Sequence, residues 1–556
     1  MSPVLELVAG MARAASRALS VPVLLLLAAG LAACSDGGGG GGGSGAAPAI
    51  TTNPQSVAVQ EGETAAFTVV ATGSGTLSYQ WRKDGADIAG ATNPSYTTPP
   101  TTLADDGASF TVVSSNSLGS ATSAPAILTV NSPARSWRSS QALRPQGPEA
   151  SFPGFVVSAS GGASQHAVAW IDVDQSTFVS EVRASRYTLA GGWSAPVTVL
   201  QSNGSLTEPE SPSIAMDSSG RITLVFAARD TATGKRTILA TSSDSGSAWS
   251  SLDRLESDVF DSTLPVVAVD GLGMVTVVWL RGANLSTGQQ RMAAARRGPP
   301  LPWGSATTIS VDVPAGGGTR PRLAAVNGRV VAAWTGSGSF GQFVASNFYD
   351  GSQWFADATP VTPDSPAKSD AVYGVALNSA GEVALSFERL QSGVRSVHLA
   401  RRAAGVWTVE PVDAFASGST TPVVAIAEDS SIAMAWQRDI PFDRTLFGAL
   451  RTPAGAWSTP TALLRRPDSQ AIRFDSAGNV VLVAAGAPNG GADEMRSVQL
   501  ASGGSWSVDQ SIEALPAITS VSAPDAFSMA ADGTAASVWL EFLGAADRVP
   551  WANTYR

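Results

Sequence analysis

Cysteine is nearly absent: Cys34 is the single one among 556 residues, so no disulfide framework or cysteine-built zinc cluster can form within the chain. Histidine is almost as scarce, with His166 and His398 only, which leaves a histidine metal site or a Ser-His-Asp triad without material. Lysine occurs three times, as Lys83, Lys235 and Lys368, and Asp plus Glu at 45 outnumber Lys plus Arg at 35. A net charge of −10 with no polybasic tract argues against nucleic acid as a partner. No G-x-S-x-G, H-E-x-x-H or phosphate-binding loop occurs, and Asp172-Val173-Asp174 lacks the rest of a calcium loop. Charged residues are 14%, against roughly 25% in ordinary soluble domains. What is abundant is glycine (56) and proline (34), which punctuate short strands, and the length calls for two or more domains or one large all-β unit. The expected class is all-β.

The N-terminus reads as an address. From Met11, a basic stretch with Arg13 and Arg17 precedes an apolar run, Ala18–Ala33, and then Leu31-Ala32-Ala33-Cys34 with Ser35 after it. Glu6 lengthens the n-region oddly, and translation is expected to begin at Met11. The segment resembles a bacterial lipoprotein signal with its lipobox, which implies cleavage of residues 1–33, a lipid on the Cys34 thiol and a membrane as partner. Ser35, rather than Asp, after the cysteine implies the outer membrane. Residues 34–47, with Gly37–Gly43, form a flexible tether.

Residues 48–132 carry short alternating runs, Ser56–Val59, Thr64–Ala71, Leu77–Lys83, Ser109–Ser114 and Ala126–Val130, parted by turn residues. Tyr79-Gln80-Trp81 with Lys83-Asp84-Gly85, and Asp105-Asp106-Gly107-Ala108-Ser109-Phe110, resemble strands C and F of a bacterial immunoglobulin-like domain. The resemblance implies a β-sandwich around Trp81 with Val69 and Val112 in place of its disulfide, and a spacer role.

Residues 133–556 repeat. One tryptophan series, Trp137, Trp193, Trp249, Trp303, Trp354, Trp407, Trp457 and Trp506, recurs every 49–56 residues. A second ends an apolar strand at Trp170, Phe226, Trp279, Trp334, Phe387, Trp436 and Trp539, with Val481-Leu482-Val483 in the remaining unit. Four strands per period cannot bury both faces alone, so the units are expected to stack radially as a β-propeller. Eight blades follow from the count, and seven if the unit around Ile472–Ala485 packs irregularly. The strand Arg135–Leu143 has no hairpin before it, and the last hairpin lacks a Trp strand, so the two are expected to share a blade and close the ring. Trp551-Ala552-Asn553-Thr554-Tyr555, and Arg183–Tyr187 before Gly191-Gly192-Trp193, resemble repeats of bacterial propellers of unassigned role, and Ser242–Trp249 resembles the sialidase Asp-box, which implies a folding role for Asp244 and Trp249.

Chemistry is thinly marked. A sialidase would need three arginines with a Tyr–Glu pair; Arg438-Asp439-Ile440-Pro441 resembles its R-I-P motif only in part, and of the repeat region's tyrosines Tyr373 alone stands where it would line the ring's mouth. The segments joining successive units hold acids: Glu149, Glu208, Glu210, Glu256, Asp258, Asp261, Asp312, Asp364, Asp370, Asp413, Asp468, Glu513 and Asp525. Gathered at the opening they would focus negative potential on calcium or a cationic ligand; dispersed, they serve solubility. The expectation is a monomeric, non-enzymatic envelope lipoprotein that binds a glycan or protein through the propeller face and needs no cofactor. The alternatives are a sialidase-like glycoside hydrolase or lyase, and a scaffold in an envelope complex.

Overall fold

The computed structural model describes residues 45–555 except for short stretches, the longest being 132–140, 144–153, 283–288, 315–319, 487–493, 513–520 and 543–547. The signal segment, Cys34 and most of the tether therefore lie outside the described residues. Two compact units divide after Pro133, and among the described residues the regular structure beyond a single short turn is strand.

The first unit is an immunoglobulin-like sandwich. Ser78–Lys83 pairs with Ser109–Asn116, which pairs in turn with Ala126–Asn131, and the last of these lies parallel to Val57–Gln60. Trp81 is fully buried and donates its indole N–H to the Asn93 carbonyl at 2.9 Å. Phe67 and Phe110 stack at 4.6 Å, and Val69 and Val112 belong to the same core. Apolar burial thus occupies the place of the missing disulfide.

In the second unit the described residues form eight antiparallel sheets. Blades I to VIII begin with the strands Gly154–Ser160, Leu206–Met216, Ser262–Val269, Arg322–Val326, Lys368–Leu377, Ser419–Ile426, Pro467–Phe474 and Val521–Met529. Blade II is representative: Leu206–Met216, Ile222–Asp230, Arg236–Ser243 and Asp253–Arg254 in sequential order. Each first strand packs on that of the next blade, and the first strand of blade VIII packs on that of blade I, which makes a ring with the first strands innermost. Blade VIII takes its fourth strand from the start of the unit: Gln141 pairs with Ala552 and Ala142 with Trp551, and the Leu143 N–H donates to the Pro550 carbonyl at 2.8 Å. Leu143 then packs with Trp170 and Tyr187 of blade I and Val538 and Ala552 of blade VIII.

The two tryptophan series differ in depth. Trp170, Trp279, Trp334, Trp436 and Trp539, with Phe226 and Phe387, are at most 1% exposed and fill the layers between blades. Trp249, Trp303, Trp354, Trp407, Trp457 and Trp506 are half-buried, while Trp193 is buried beside Trp170. In the Asp-box segment Trp249 packs against the core shared by blades I and II, while residues 245–247 lie outside the described residues.

The turn after each first strand has its own chemistry. Asp217 Oδ1 accepts the N–H groups of Ser219 and Arg221, and Asp270 Oδ1 those of Leu272 and Met274. A glycine three residues on supplies the positive φ, as at Gly220 (88°) and Gly273 (76°). Asp270 Oδ2 also accepts the N–H of Gly328 from the next blade at 2.9 Å, so one carboxylate closes its own turn and ties two blades.

Candidate functional site

The described acids of the joining segments are dispersed. Glu256 is buried, accepting the indole N–H of Trp279 at 3.0 Å and the Arg281 guanidinium at 2.6 and 3.1 Å. Asp413 is bound the same way, by Trp436 at 2.6 Å and Arg438 at 2.7 Å through two nitrogens. Asp370, fully buried, takes two bonds of 2.8 Å from Arg389. At the surface Glu208 pairs with Arg229 at 2.9 Å, Glu210 with Arg236 at 2.8 Å, and Asp261 accepts the backbone N–H of Arg236 at 2.8 Å. Asp258, Asp312, Asp364, Glu149, Glu513 and the side chains of Asp468 and Asp525 lie outside the described residues. Among the described residues no three of His, Cys, Asp and Glu come close enough to hold a metal ion. The described acids therefore neutralise arginines and cap buried indoles, a use that spacing alone does not distinguish from a ligand-facing ring.

Arg438, of the partial R-I-P match, is committed to Asp413. Both histidines are buried: His166 Nδ1 lies 2.7 Å from Ser160 Oγ, and His398 stacks on Phe387 at 5.2 Å with Nε2 3.0 Å from Ser396 Oγ. Desolvation, with Arg389 adding repulsion, lowers the His398 pKa to about 4.

A cavity of about 440 Å³ occupies the middle of the ring and is lined by all eight innermost strands or the residues that lead into them. It lies at the level of a β-bulge that recurs around the ring. Register shifts fall between Gly154 and Val157, Thr263 and Val266, Val372 and Gly374, and Thr420 and Val423. Ser211, Leu264 and Thr421 each adopt a φ near +50° immediately before a proline, a strained backbone that re-aims the neighbouring side chains.

The charged residues among those lining the cavity are three arginines, Arg320, Arg322 and Arg473. Arg320 Nη2 donates to the Pro212 carbonyl at 2.7 Å, reaching from blade IV to blade II past blade III. Arg473 is open to the channel solvent yet surrounded by the ring, and that desolvation lowers its pKa. Its Nη1 donates to the Ile472 carbonyl at 2.7 Å, and among the described residues no carboxylate pairs with it.

Tyr373 lines the same cavity, with its hydroxyl 3.4 Å from Glu388 Oε2. Burial first, and the Glu388 charge second, raise its pKa. Glu388 is itself engaged by Arg395. The place of Tyr373 was legible in its position near a strand start. The arginines were not, although a signal exists: Arg320-Pro321-Arg322 stands where blades II, III and VI have Ser211-Pro212-Ser213, Leu264-Pro265-Val266 and Thr421-Pro422-Val423.

Residues 48–130 match the immunoglobulin I-set domain. No curated protein matches the chain. Among solved structures it is similar to the polysaccharide lyase Uly1, at 11% identity over 71% of this chain and 88% of that one, with a TM-score of 0.41. It is similar to the β-propeller domain of the trilobed protease of Pyrococcus furiosus, at 9% over 65% and 97%, TM-score 0.37. The Hadza microbial sialidase Hz136 follows at 12% over 67% and 72%, TM-score 0.34. These are likenesses to all-β propeller architecture at low identity; the chain is an immunoglobulin-like unit followed by a ring of propeller blades.

Proposed function

We propose that this chain is an exported lipoprotein whose eight-bladed unit binds a small anionic ligand, a charged glycan in the first instance, in its central channel. The observation that carries the reading is Arg473, a guanidinium facing the cavity with no carboxylate partner among the described residues. Guanidinium is the side chain best matched to carboxylate and sulfate oxygens. A volume of about 440 Å³ falls among small-molecule sites of roughly 300–1,000 Å³. The ligand's sign is opposite to that expected of an acidic ring, because the described acids are spent on arginines elsewhere.

Lipid on Cys34 and the glycine-rich tether would hold both folded units at the outer membrane. The scaffold alternative gains little: Phe178, Leu272 and Val406, the most exposed large apolar residues among those described, sit singly on blades I, III and V.

Calorimetric titration with acidic and neutral oligosaccharides tests the reading. Binding of the acidic set alone, weakened at least tenfold by Arg473→Gln and by added salt, is the expected result; equal binding of neutral sugars, indifferent to Arg473→Gln, overturns it. Mass spectrometry of the native protein should find acyl chains on Cys34 and none in Cys34→Ser.

A glycoside hydrolase is the second reading, favoured by the Tyr373–Glu388 pair at 3.4 Å beside the arginines. Turnover of fluorogenic acidic glycosides that disappears in Glu388→Gln would establish it, and no turnover by the wild-type protein would retire it.

A further inference from the structure

We propose that the channel's ligand is a hydroxylated carboxylate, an acidic sugar by chemical class, and that Tyr373 is the residue that reads its hydroxyls. This rests on the reading that Arg473 receives the anionic group.

Tyr373 owes its position to the bulge. Val372 pairs with Phe387 and Gly374 with Ser386, consecutive residues of the neighbouring strand, so Tyr373 is the extra residue turned out of the ladder. Gly374 fixes that turn: a Cβ there would lie 2.7 Å from Ser386 Oγ and 3.3 Å from the Val424 backbone nitrogen, so blade VI closes directly on it. The raised pKa keeps the phenol neutral, able both to donate and to accept. At 3.4 Å its bond to Glu388 is long, and Arg395 already occupies that carboxylate. The hydroxyl is thus placed to exchange a weak internal partner for a ligand hydroxyl.

The wall between the two poles supports the same ligand. Tyr373 is on blade V and Arg473 on blade VII, and between them the cavity is lined by Val375, Val423, Val424 and Ala471. Gln470 does not compete for the ligand: its Oε1 accepts from Gln437 at 2.8 Å and its Nε2 donates to the Thr421 carbonyl. A bare inorganic anion would satisfy Arg473 and leave the apolar wall unmatched, whereas an aliphatic acid would cover the wall and leave Tyr373 unmatched. A sugar acid presents a carboxylate, an apolar C–H face and a hydroxyl rim, and meets all three.

Titration of the full chain with D-glucuronate and with cyclohexanecarboxylate, which keeps the six-membered ring and carboxylate but has no hydroxyls, tests the assignment. The wild-type protein is expected to favour glucuronate at least tenfold. Tyr373→Phe should cost about tenfold for glucuronate alone, with cyclohexanecarboxylate affinity and melting temperature unchanged, while Arg473→Gln weakens both acids. Equal wild-type affinity for the two acids, or equal weakening of both by Tyr373→Phe, overturns the Tyr373 assignment and leaves the Arg473 reading standing. Failure of both acids to bind overturns the Arg473 reading itself. The wild-type ratio requires no variant, so it decides the matter even where a substitution unfolds the ring.

Discussion

Trp279 and Trp436 bring a polar indole N–H into an apolar layer, where a hydrogen-bond acceptor offsets the cost of burying it. The chain supplies an acid 23 residues earlier in both cases, and the same carboxylate then holds the arginine two residues beyond the tryptophan. Asp413→Ala would take from Arg438 its bidentate carboxylate and from the buried Trp436 N–H its acceptor. The expected loss is about 3–5 kcal/mol, read by urea denaturation, with much of it recovered when Arg438 is also replaced by methionine. His398 makes a second prediction. The folded protein keeps it neutral down to a pKa of about 4, with Arg389 and Lys368 opposing its proton and Asp370 favouring it, while the unfolded chain takes that proton near pH 6.5. Between those values the unfolded state binds more protons, so stability is full above pH 6.5 and falls as the pH drops toward 4. The contribution is at most roughly 3 kcal/mol. His398→Phe should flatten the pH dependence of the melting temperature in that window, and an unchanged slope would assign the acid sensitivity to the carboxylates.

At the scale of the strand, ring closure depends on a short element. Gln141–Ala142 covers the edge of Arg548–Tyr555, and without it that edge and the layer around Leu143 would meet water. Each orphaned buried group costs about 1–3 kcal/mol, against whole-domain stabilities of roughly 5–15 kcal/mol. A fragment of residues 133–556 is therefore expected to fold as a monomer, and one of 146–556 to melt far lower or aggregate. Equal melting temperatures in calorimetry would show that the strand is dispensable. Both tryptophan series could be read from the sequence because each blade repeats one burial problem at one position and solves it with one bulky residue. Val481-Leu482-Val483 holds the same position without an aromatic, since β-branched and aliphatic side chains fill the layer there. The bulges escape such a reading: an inserted residue shifts the period-2 pattern by one, and in a sequence that looks like noise at the start of a strand.

For the whole molecule, composition and periodicity were enough to expect an all-β chain with a small sandwich and a ring of blades, because those features are distributed over hundreds of residues, and the motifs around Trp81 and Phe110 added the immunoglobulin likeness. The site is local, and its signal is weak for a physical reason. Arginine in a sequence ordinarily marks solvent, and only the closing of eight strands around an axis makes an interior in which Arg473 faces a ligand-sized space. The described acids show the complementary limit, since position placed them at the joins but could not show which arginines and indoles they bind. The connection between the units has a mechanical meaning as well. Tension passed down the chain from the first unit enters the ring at Gln141–Ala142, the strand that fastens the last blade. The pairing is short, so few hydrogen bonds resist that load. The seam is the natural fuse of the molecule: under load the ring should come unlatched at blade VIII while its seven other sheets remain intact, and the channel would lose its enclosure at the same moment.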